Sequence, residues 1–426
     1  MHKNFVKMKN EKITNLAKAA LFFLICLTSV SVYATDGYLS NGIGIRYRGM
    51  AGAGIGFHWG PISGANNPAA MVFAGKGYEL NVSLFNPNRQ YTVTGAPSGF
   101  PGTFGLAPGT VESSSTIFII PTLGANWMLN DKMSLGLNIF GNGGMNTDYE
   151  SPTFGADPTG VNLSQLFFAP TFSVKVLENH ALGISPILAY QSFEAKGLAA
   201  FGNFSSDPAK LSNNGSDKSI GYGVRIGYLG QLTDFLSLGA SFQSPMKMGA
   251  FDEYAGLFAE QGGFDIPMNW TAGVGLQFGK FGAALDFKQI YYSKIKSIGN
   301  PLLPNLQTTP LGSDGAAGFG WKDMSVVKAG VFYEVADGLT VRAGYSYGKQ
   351  PIPESEVLFN ILAPGVIEQH LSLGVSKSIG EGKEINFFVT RALASSVSGP
   401  NPLEAPNQQT IELKMDQWEV GLGFSF

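Results

Sequence analysis

Hydrophobic side chains recur at every second position along much of this chain, with glycine, serine or a charged residue between them. At the C-terminus, Trp418, Val420, Leu422, Phe424 and Phe426 share one phase against Glu419, Gly421, Gly423 and Ser425. Met133, Leu135, Leu137 and Ile139 alternate with Lys132, Ser134, Gly136 and Asn138. The same holds for Leu236, Leu238, Ala240 and Phe242, for Leu339, Val341, Ala343, Tyr345 and Tyr347, and for Leu371, Leu373 and Val375. A strand has period two, so each stretch carries one greasy face and one small or polar face. The pattern predicts half-buried strands and excludes amphipathic helices as the main elements.

The punctuation between strands is asymmetric. Tight polar turns fall at Asn130-Asp131, Glu178-Asn179, Thr233-Asp234, Gly279-Lys280, Ala336-Asp337-Gly338 and Gly380-Glu381-Gly382-Lys383. Longer segments rich in Gly, Pro, Ser and Asn alternate with them, at 86–111, 149–160, 198–216, 250–264, 299–320, 350–366 and 393–412. Six turns and seven loops make thirteen connections, hence fourteen strands, beginning near Lys76. Short turns on one side and long loops on the other are a property of outer-membrane barrels, and the terminal aromatic residue resembles the closing strand of such proteins. The expected fold is all-β: a 14-stranded antiparallel transmembrane β-barrel spanning residues 76–426, greasy toward lipid and small or polar toward the lumen.

The N-terminus points to the same compartment. Lys3, Lys7, Lys9, Lys12 and Lys18 precede an apolar run from Ala19 to Val32, and Val32-Tyr33-Ala34 supplies a small-x-small cleavage site. Residues 1–34 read as a secretory signal peptide, the run being short of the roughly 20 apolar residues that span a bilayer. Cys26, the sole cysteine, lies inside this segment, so disulfide and thiolate chemistry are not expected of the mature chain. Loss of five Lys and Glu11 removes +4 from the formal charge of −3 and leaves −7. With no basic patch, nucleic acid is excluded as a partner. No other apolar run is long enough for a transmembrane helix, so strands closed on themselves must do the crossing.

Residues 35–75 stand outside the wall. Gly42, Gly44, Gly49, Gly52, Gly54 and Gly56 are interleaved with Ile43, Ile45, Met50 and Ile55, and Asn66-Asn67-Pro68 marks a turn. A polar periplasmic tail would not need those apolar residues, so a plug folded into the lumen is favoured. The run Gly42-x-Gly44-x-Arg46-x-x-x-Met50-Ala51-Gly52-Ala53-Gly54, followed by Asn67-Pro68-Ala69, resembles the N-terminal hatch of the FadL-type family of long-chain fatty-acid and aromatic-hydrocarbon transporters. Ile266-Pro267-Met268-Asn269-Trp270, Trp321-Lys322-Asp323 and Val341-Arg342-Ala343-Gly344-Tyr345-Ser346-Tyr347 followed by Pro351-Ile352-Pro353 extend the resemblance across the mature chain.

The resemblance implies a passive channel for hydrophobic solutes, acting as a single chain in outer-membrane lipid. Cargo is captured among extracellular loops, held inside the barrel, freed by movement of the hatch and released through a gap beside an inward kink in the third strand. Gly141, Asn142, Gly143 and Gly144 break the alternation of that strand. Two readings stand: the kink with its lateral opening, or a strand that ends in a glycine-rich loop. Tyr254, Leu257 and Phe258 give loop 250–264 an apolar face, with Leu302, Leu303, Leu306 and Leu311 in a second greasy loop. Substrate capture is favoured over packing across the mouth. Loop 198–216 is short for a large outer groove. Lys196 and Lys296 fall where the family carries basic pocket residues, and a solvated rim position is the alternative for each. Arg46 and Arg48 are expected to anchor the plug to lumen carboxylates such as Glu79 or Asp286.

Catalysis finds no support. His58, His180 and His370 lack metal-ligand spacing, no pattern specific for a Ser–His pair is present, and Gly52, Gly54 and Gly56 do not make a dinucleotide fingerprint. No cofactor or metal is expected. The rival class is a general or polar-solute porin, which shares the strands and terminal Phe but keeps an open aqueous lumen without a plug.

Overall fold

The computed structural model describes residues 36–426. The signal-peptide reading of residues 1–34, with Cys26, lies outside the described residues.

Fourteen strands form the wall. They are β1 (Gly77–Thr94), β2 (Phe118–Asn130), β3 (Met133–Tyr149), β4 (Thr159–Leu177), β5 (His180–Lys196), β6 (Asp217–Gln231) and β7 (Leu236–Gln243). After them come β8 (Asn269–Phe278), β9 (Phe281–Ile290), β10 (Met324–Ala336), β11 (Leu339–Gly348), β12 (Gln369–Gly380), β13 (Lys383–Pro400) and β14 (Thr410–Ser425). Each pairs antiparallel with its neighbours in sequence, and β14 pairs with β1 from Glu79↔Ser425 to Thr94↔Thr410, closing the barrel. Closure joins the first strand to the last, as hydrocarbon surroundings require. Two short strands, Gly109–Glu112 and Lys247–Met248, add to β1 and β6 at the loop end.

All six tight turns join strands as expected, and the seven longer connections lie at the opposite end. Two loops are shorter than the sequence implied. The loop expected over 86–111 opens on Asn86-Pro87-Asn88, yet β1 runs on to Thr94; β13 likewise reaches Pro400. The last β1–β2 pair is Phe85↔Phe118, so Pro87 has no β2 partner awaiting its missing N–H. The extra length is a ladder of β1, β13 and β14 rising past β2.

Burial follows the dyad. Leu371, Leu373 and Val375 are 49%, 60% and 40% exposed on the outer face, while His370, Ser372 and Ser376 are buried in the lumen. The lumen is graded along its axis. On β14 the inward residues at the loop end are Ile411, Leu413 and Met415, and toward the turn end Gln417, Glu419 and Ser425. On β1 the same axis runs from Tyr91 and Val93 to Ser83, Asn81 and Glu79.

Residues 36–75 fill the polar half. Short helical turns at Ile45–Arg48, Pro61–Ala65, Pro68–Ala70 and Met71–Ala74 carry the chain down the lumen into β1. Lumen-facing glycines of the wall receive it. A Cβ at Gly374 would lie 2.9 Å from the Gly49 Cα, backbone against backbone. That is why small residues alternate with the lipid-facing phase at this depth.

Candidate functional site

The lumen segment is held by charge. Arg46 donates to Glu79 at 3.3 Å, to Glu384 at 2.7 Å and to Ser425 Oγ at 2.8 Å. Arg48 pairs with Glu419 and donates to Ser40 Oγ at 2.7 Å. Arg46 thus meets Glu79 as expected; Asp286 instead accepts from the Gly54 and Ile55 amides at 2.7 and 2.9 Å. Asn67 caps the turn at Pro68 through Ala69 N–H (3.1 Å) and reaches the wall at the Tyr228 carbonyl (2.9 Å). Met50 packs against Gly330 and Gly344, and Gly42 sits against Gly52. The glycines Gly44 and Gly54 adopt positive φ, 93° and 125°, where a side chain is strained.

A cluster the sequence did not disclose fixes the upstream end. Asp36 Oδ2 accepts from Lys288 at 2.8 Å and Lys328 at 2.9 Å, and Lys328 also donates to Asn41 Oδ1 at 2.7 Å. The available signal was phase: both lysines lie on the face of β9 and β10 that points away from lipid.

The wall is broken between β2 and β3. Their pairing runs from Asn130↔Met133 to Thr122↔Phe140 and stops there, although β2 continues toward Phe118 and β3 toward Tyr149. From Phe140 to Thr147 every residue of β3 is buried, the alternation being lost where the strand bends inward. The β3–β4 register shifts between Gly141 and Gly143, leaving Asn142 as the extra residue, its amide 3.0 Å from Gln165 Oε1. In place of β2, the bent strand takes the lumen segment as partner: Ser40 N donates to Asn142 O (2.8 Å) and Gly144 N to Tyr38 O (3.0 Å). A Cβ on Gly143 would lie 3.1 Å from the Leu39 Cα and collide with the Tyr38 carbonyl. Gly141, Asn142, Gly143 and Gly144 therefore sit inside a continuing, bent strand; the alternative of a strand ending there is excluded. Above the break the chain closes again, with Ser114 N donating to Asp148 O at 2.9 Å.

The long loops fold over the mouth as one apolar cluster. Tyr254, Leu257 and Phe258 belong to it, all buried. Tyr254 and Phe258 lie 4.8 and 4.7 Å from the Phe193 ring, and the Tyr254 hydroxyl donates to Gly215 O at 2.5 Å. The expectation of an exposed capture face on these three residues is corrected: apolar loop side chains bury more area against Phe193 than against water. Leu302, Leu306 and Leu311 join the same cluster. Between it and the lumen segment lies a cavity of about 30 Å³ lined by Tyr38, Phe85, Arg89, Met145, Trp321 and Met415. A second cavity, about 190 Å³, touches Ser115, Phe118, Asn162 and Lys196, and shares Asn146 with the first.

Lys196 borders the 190 Å³ cavity beside the break, and Lys296 borders neither cavity. Lys196 is the last residue of β5, in the outward phase beside inward Ala195, and pairs with Glu194 at 3.5 Å, half-exposed. Lys296 lies in a loop turn and pairs with Glu260 at 2.7 Å, also half-exposed. Both side chains are half-exposed and already paired with a surface carboxylate.

Residues 34–398 match the model of a family described as outer membrane protein transport protein (OMPP1/FadL/TodX). The chain belongs to this family. Its barrel lies in the outer membrane, and members of the OMPP1/FadL/TodX family are transport channels, not enzymes. Among solved structures, the Pseudomonas putida toluene transporter TodX is 19% identical, covering 90% of this chain and 98% of its own, with a TM-score of 0.66. A FadL homologue of Pseudomonas aeruginosa is 17% identical over 92% and 99%, with a TM-score of 0.68. The Ralstonia pickettii toluene transporter TbuX is 18% identical over 90% and 98%, at 0.60. These likenesses establish the shared fold. No curated protein matches the chain.

Proposed function

We propose that this protein carries neutral hydrophobic small molecules across the outer membrane and releases them sideways into the bilayer through the break between β2 and β3. The break itself carries the reading. The ladder between β2 and β3 stops beyond Thr122↔Phe140, and the freed strand is held inward by residues 38–40. Each CH₂ leaving water gains about 0.8 kcal/mol, so bilayer core is a favourable exit and a polar lumen is not.

Residues 35–75 act as the hatch. Residues 36–75 fill the polar half of the lumen, and the 30 Å³ cavity above them has room for about one water. Cargo therefore passes only when Tyr38 to Asn41 move, which also frees β3. The apolar loop cluster, with Tyr254, Leu257 and Phe258 packed inside it, closes the mouth, so a hydrophobe enters where these loops part.

Neutral cargo is preferred over long-chain carboxylates because Lys196 and Lys296 are spent on surface carboxylates, and Lys288, Lys328, Arg46 and Arg48 on lumen ones. Toluene transport by the structural neighbours TodX and TbuX supports this class. A porin would need an open aqueous lumen, and the filled one disfavours it. A closed barrel has every strand paired within one chain, which supports a monomer in lipid.

Uptake of labelled toluene and labelled oleate by cells lacking other hydrophobe channels tests the reading. Toluene uptake above the empty-vector rate is expected. Uptake of neither, with the barrel folded in the outer membrane, rejects it, and a large steady ion current would favour the porin.

A further inference from the structure

One side chain spans the break. Arg89 projects inward from β1, buried, in the same phase as Phe85 and Tyr91. Its guanidinium donates to the backbone carbonyl of Ser115, three residues before β2, and to that of Asn146, in the bent part of β3. It also lies 5.6 Å over the Phe118 ring, the first residue of β2. The two bonds thus lead to opposite edges of the gap. Arg89 and Asn146 border the small lumen cavity; Ser115, Phe118 and Asn146 border the larger one. The bonded Arg89, Phe118 and Asn146 stand where the two cavities meet.

Elementary chemistry explains why such a group controls passage. A guanidinium presents donors in a rigid planar fork, so one side chain fixes two acceptors at once. Burying it without acceptors is costly, so it holds both carbonyls as long as both are within reach. A Met of similar length has no donor to bridge them, and a Lys, whose three donors radiate from one point instead of a planar fork, holds the two less firmly. Below the gap β2 and β3 are joined by their ladder, and above it by the Ser114–Asp148 bond, so the wall does not need Arg89 to stay closed elsewhere.

We propose that Arg89 is the clasp of the lateral opening: its guanidinium keeps the edge at Ser115 and the bent strand at Asn146 together, and cargo passes when those bonds part. This rests on the sideways release proposed above. Arg89 is a positioning residue, acting on the width of the passage.

The test compares toluene uptake by cells carrying the parent protein, Arg89→Met and Arg89→Lys, with folding read from heat-dependent gel migration. Spin labels on Ile119→Cys and Asp148→Cys report the width of the gap, in a mature chain that has no cysteine of its own. The expected result is a several-fold higher maximal uptake in Arg89→Met with the half-saturating concentration unchanged, a wider label distance, and intermediate values for Arg89→Lys. Unchanged uptake and distance in folded Arg89→Met overturn the clasp, as does loss of the folded barrel in both variants, since that would make Arg89 a brace of the wall. A separate pair, Phe118→Cys with Asn146→Cys, bridged by a short bis-thiol reagent, isolates the underlying reading. If bridging stops uptake while Arg89→Met changes nothing, the clasp alone fails; if bridging has no effect, sideways release fails with it.

Discussion

Lys328 Nζ lies 2.9 Å from Asp36 Oδ2, tying the wall at β10 to a residue 292 positions earlier in the chain. Lys288 shares the same oxygen from β9. The three groups pin the upstream end of the lumen segment just before Tyr38, Leu39 and Ser40, the residues that hold the bent part of β3. Removing the carboxylate leaves two lysines facing each other without their partner. Breaking a buried pair in this way costs about 3–5 kcal/mol. Asp36→Ala is expected to lower the urea midpoint of the barrel in detergent and to raise amide exchange in residues 37–44. Asp36→Ala combined with Lys328→Met should regain much of the loss. An unchanged midpoint and exchange pattern in Asp36→Ala would show that the pairs hold nothing.

Gly143 makes a sharper prediction, because a single methyl group suffices. Its missing Cβ is what lets the Tyr38 carbonyl and Leu39 approach the bent strand. Overpacking at such a contact costs about 1–3 kcal/mol. Gly143→Ala should displace residues 38–40, abolish protection of the Gly144 and Ser40 amides, and alter toluene uptake while the barrel stays folded. Exchange at those amides identical to the parent would mean that the segment is not held by this strand.

These two sites differ in how far they were legible beforehand. The dyad was legible because lipid and lumen impose opposite demands on neighbouring side chains, and each tight turn carries its own polar signal. The Gly141–Gly144 cluster announced a break in the alternation, but not its direction, which depends on a partner a hundred residues upstream. The Asp36 cluster had no local signature at all: an acid before the glycine-rich run and two lysines far along the chain meet only when the barrel closes. Asn86-Pro87-Asn88 misled for a different reason. It has turn chemistry, yet β1 continues through it because no β2 residue lies opposite Pro87. Lys196 was a matter of phase, since its even number in β5 places it outward with Leu182, Ile184 and Leu188.

Acid should loosen the loops before the wall. Glu404 in loop 401–409 accepts from the Ser98 hydroxyl, from the Ala405 amide at 2.7 Å and from the Ser98 amide at 3.2 Å, tying it to loop 95–117. The Ser98 hydroxyl first, then the amides, hold its carboxyl below the usual glutamate range. A depressed acid contributes its stability above the ordinary glutamate value, about 4.3, and loses it as pH falls through the lower folded value. Protection of the Ser98 amide, corrected for intrinsic exchange, should therefore fall on acidification below that ordinary value. In Glu404→Gln the pH dependence should vanish. Protection that stays flat across this range in the parent would contradict the tether.

The rim lysines separate neutral from acidic cargo. Lys196 and Lys296 are half-exposed, each already paired with a glutamate on the surface. Exposed pairs of this kind contribute about 0–1 kcal/mol, so Lys196→Ala and Lys296→Ala should leave both the folded barrel and toluene uptake at parental levels. A carboxylate cargo would change that expectation. It would need a cation to receive it on leaving water, and a lysine able to swing away from Glu194 or Glu260 could serve. Oleate uptake that is present in the parent and lost in either alanine variant would therefore place that lysine on the cargo route and assign acidic amphiphiles to this channel. Toluene uptake unaffected by both substitutions, with oleate at background throughout, is the outcome that the geometry of the two ion pairs predicts.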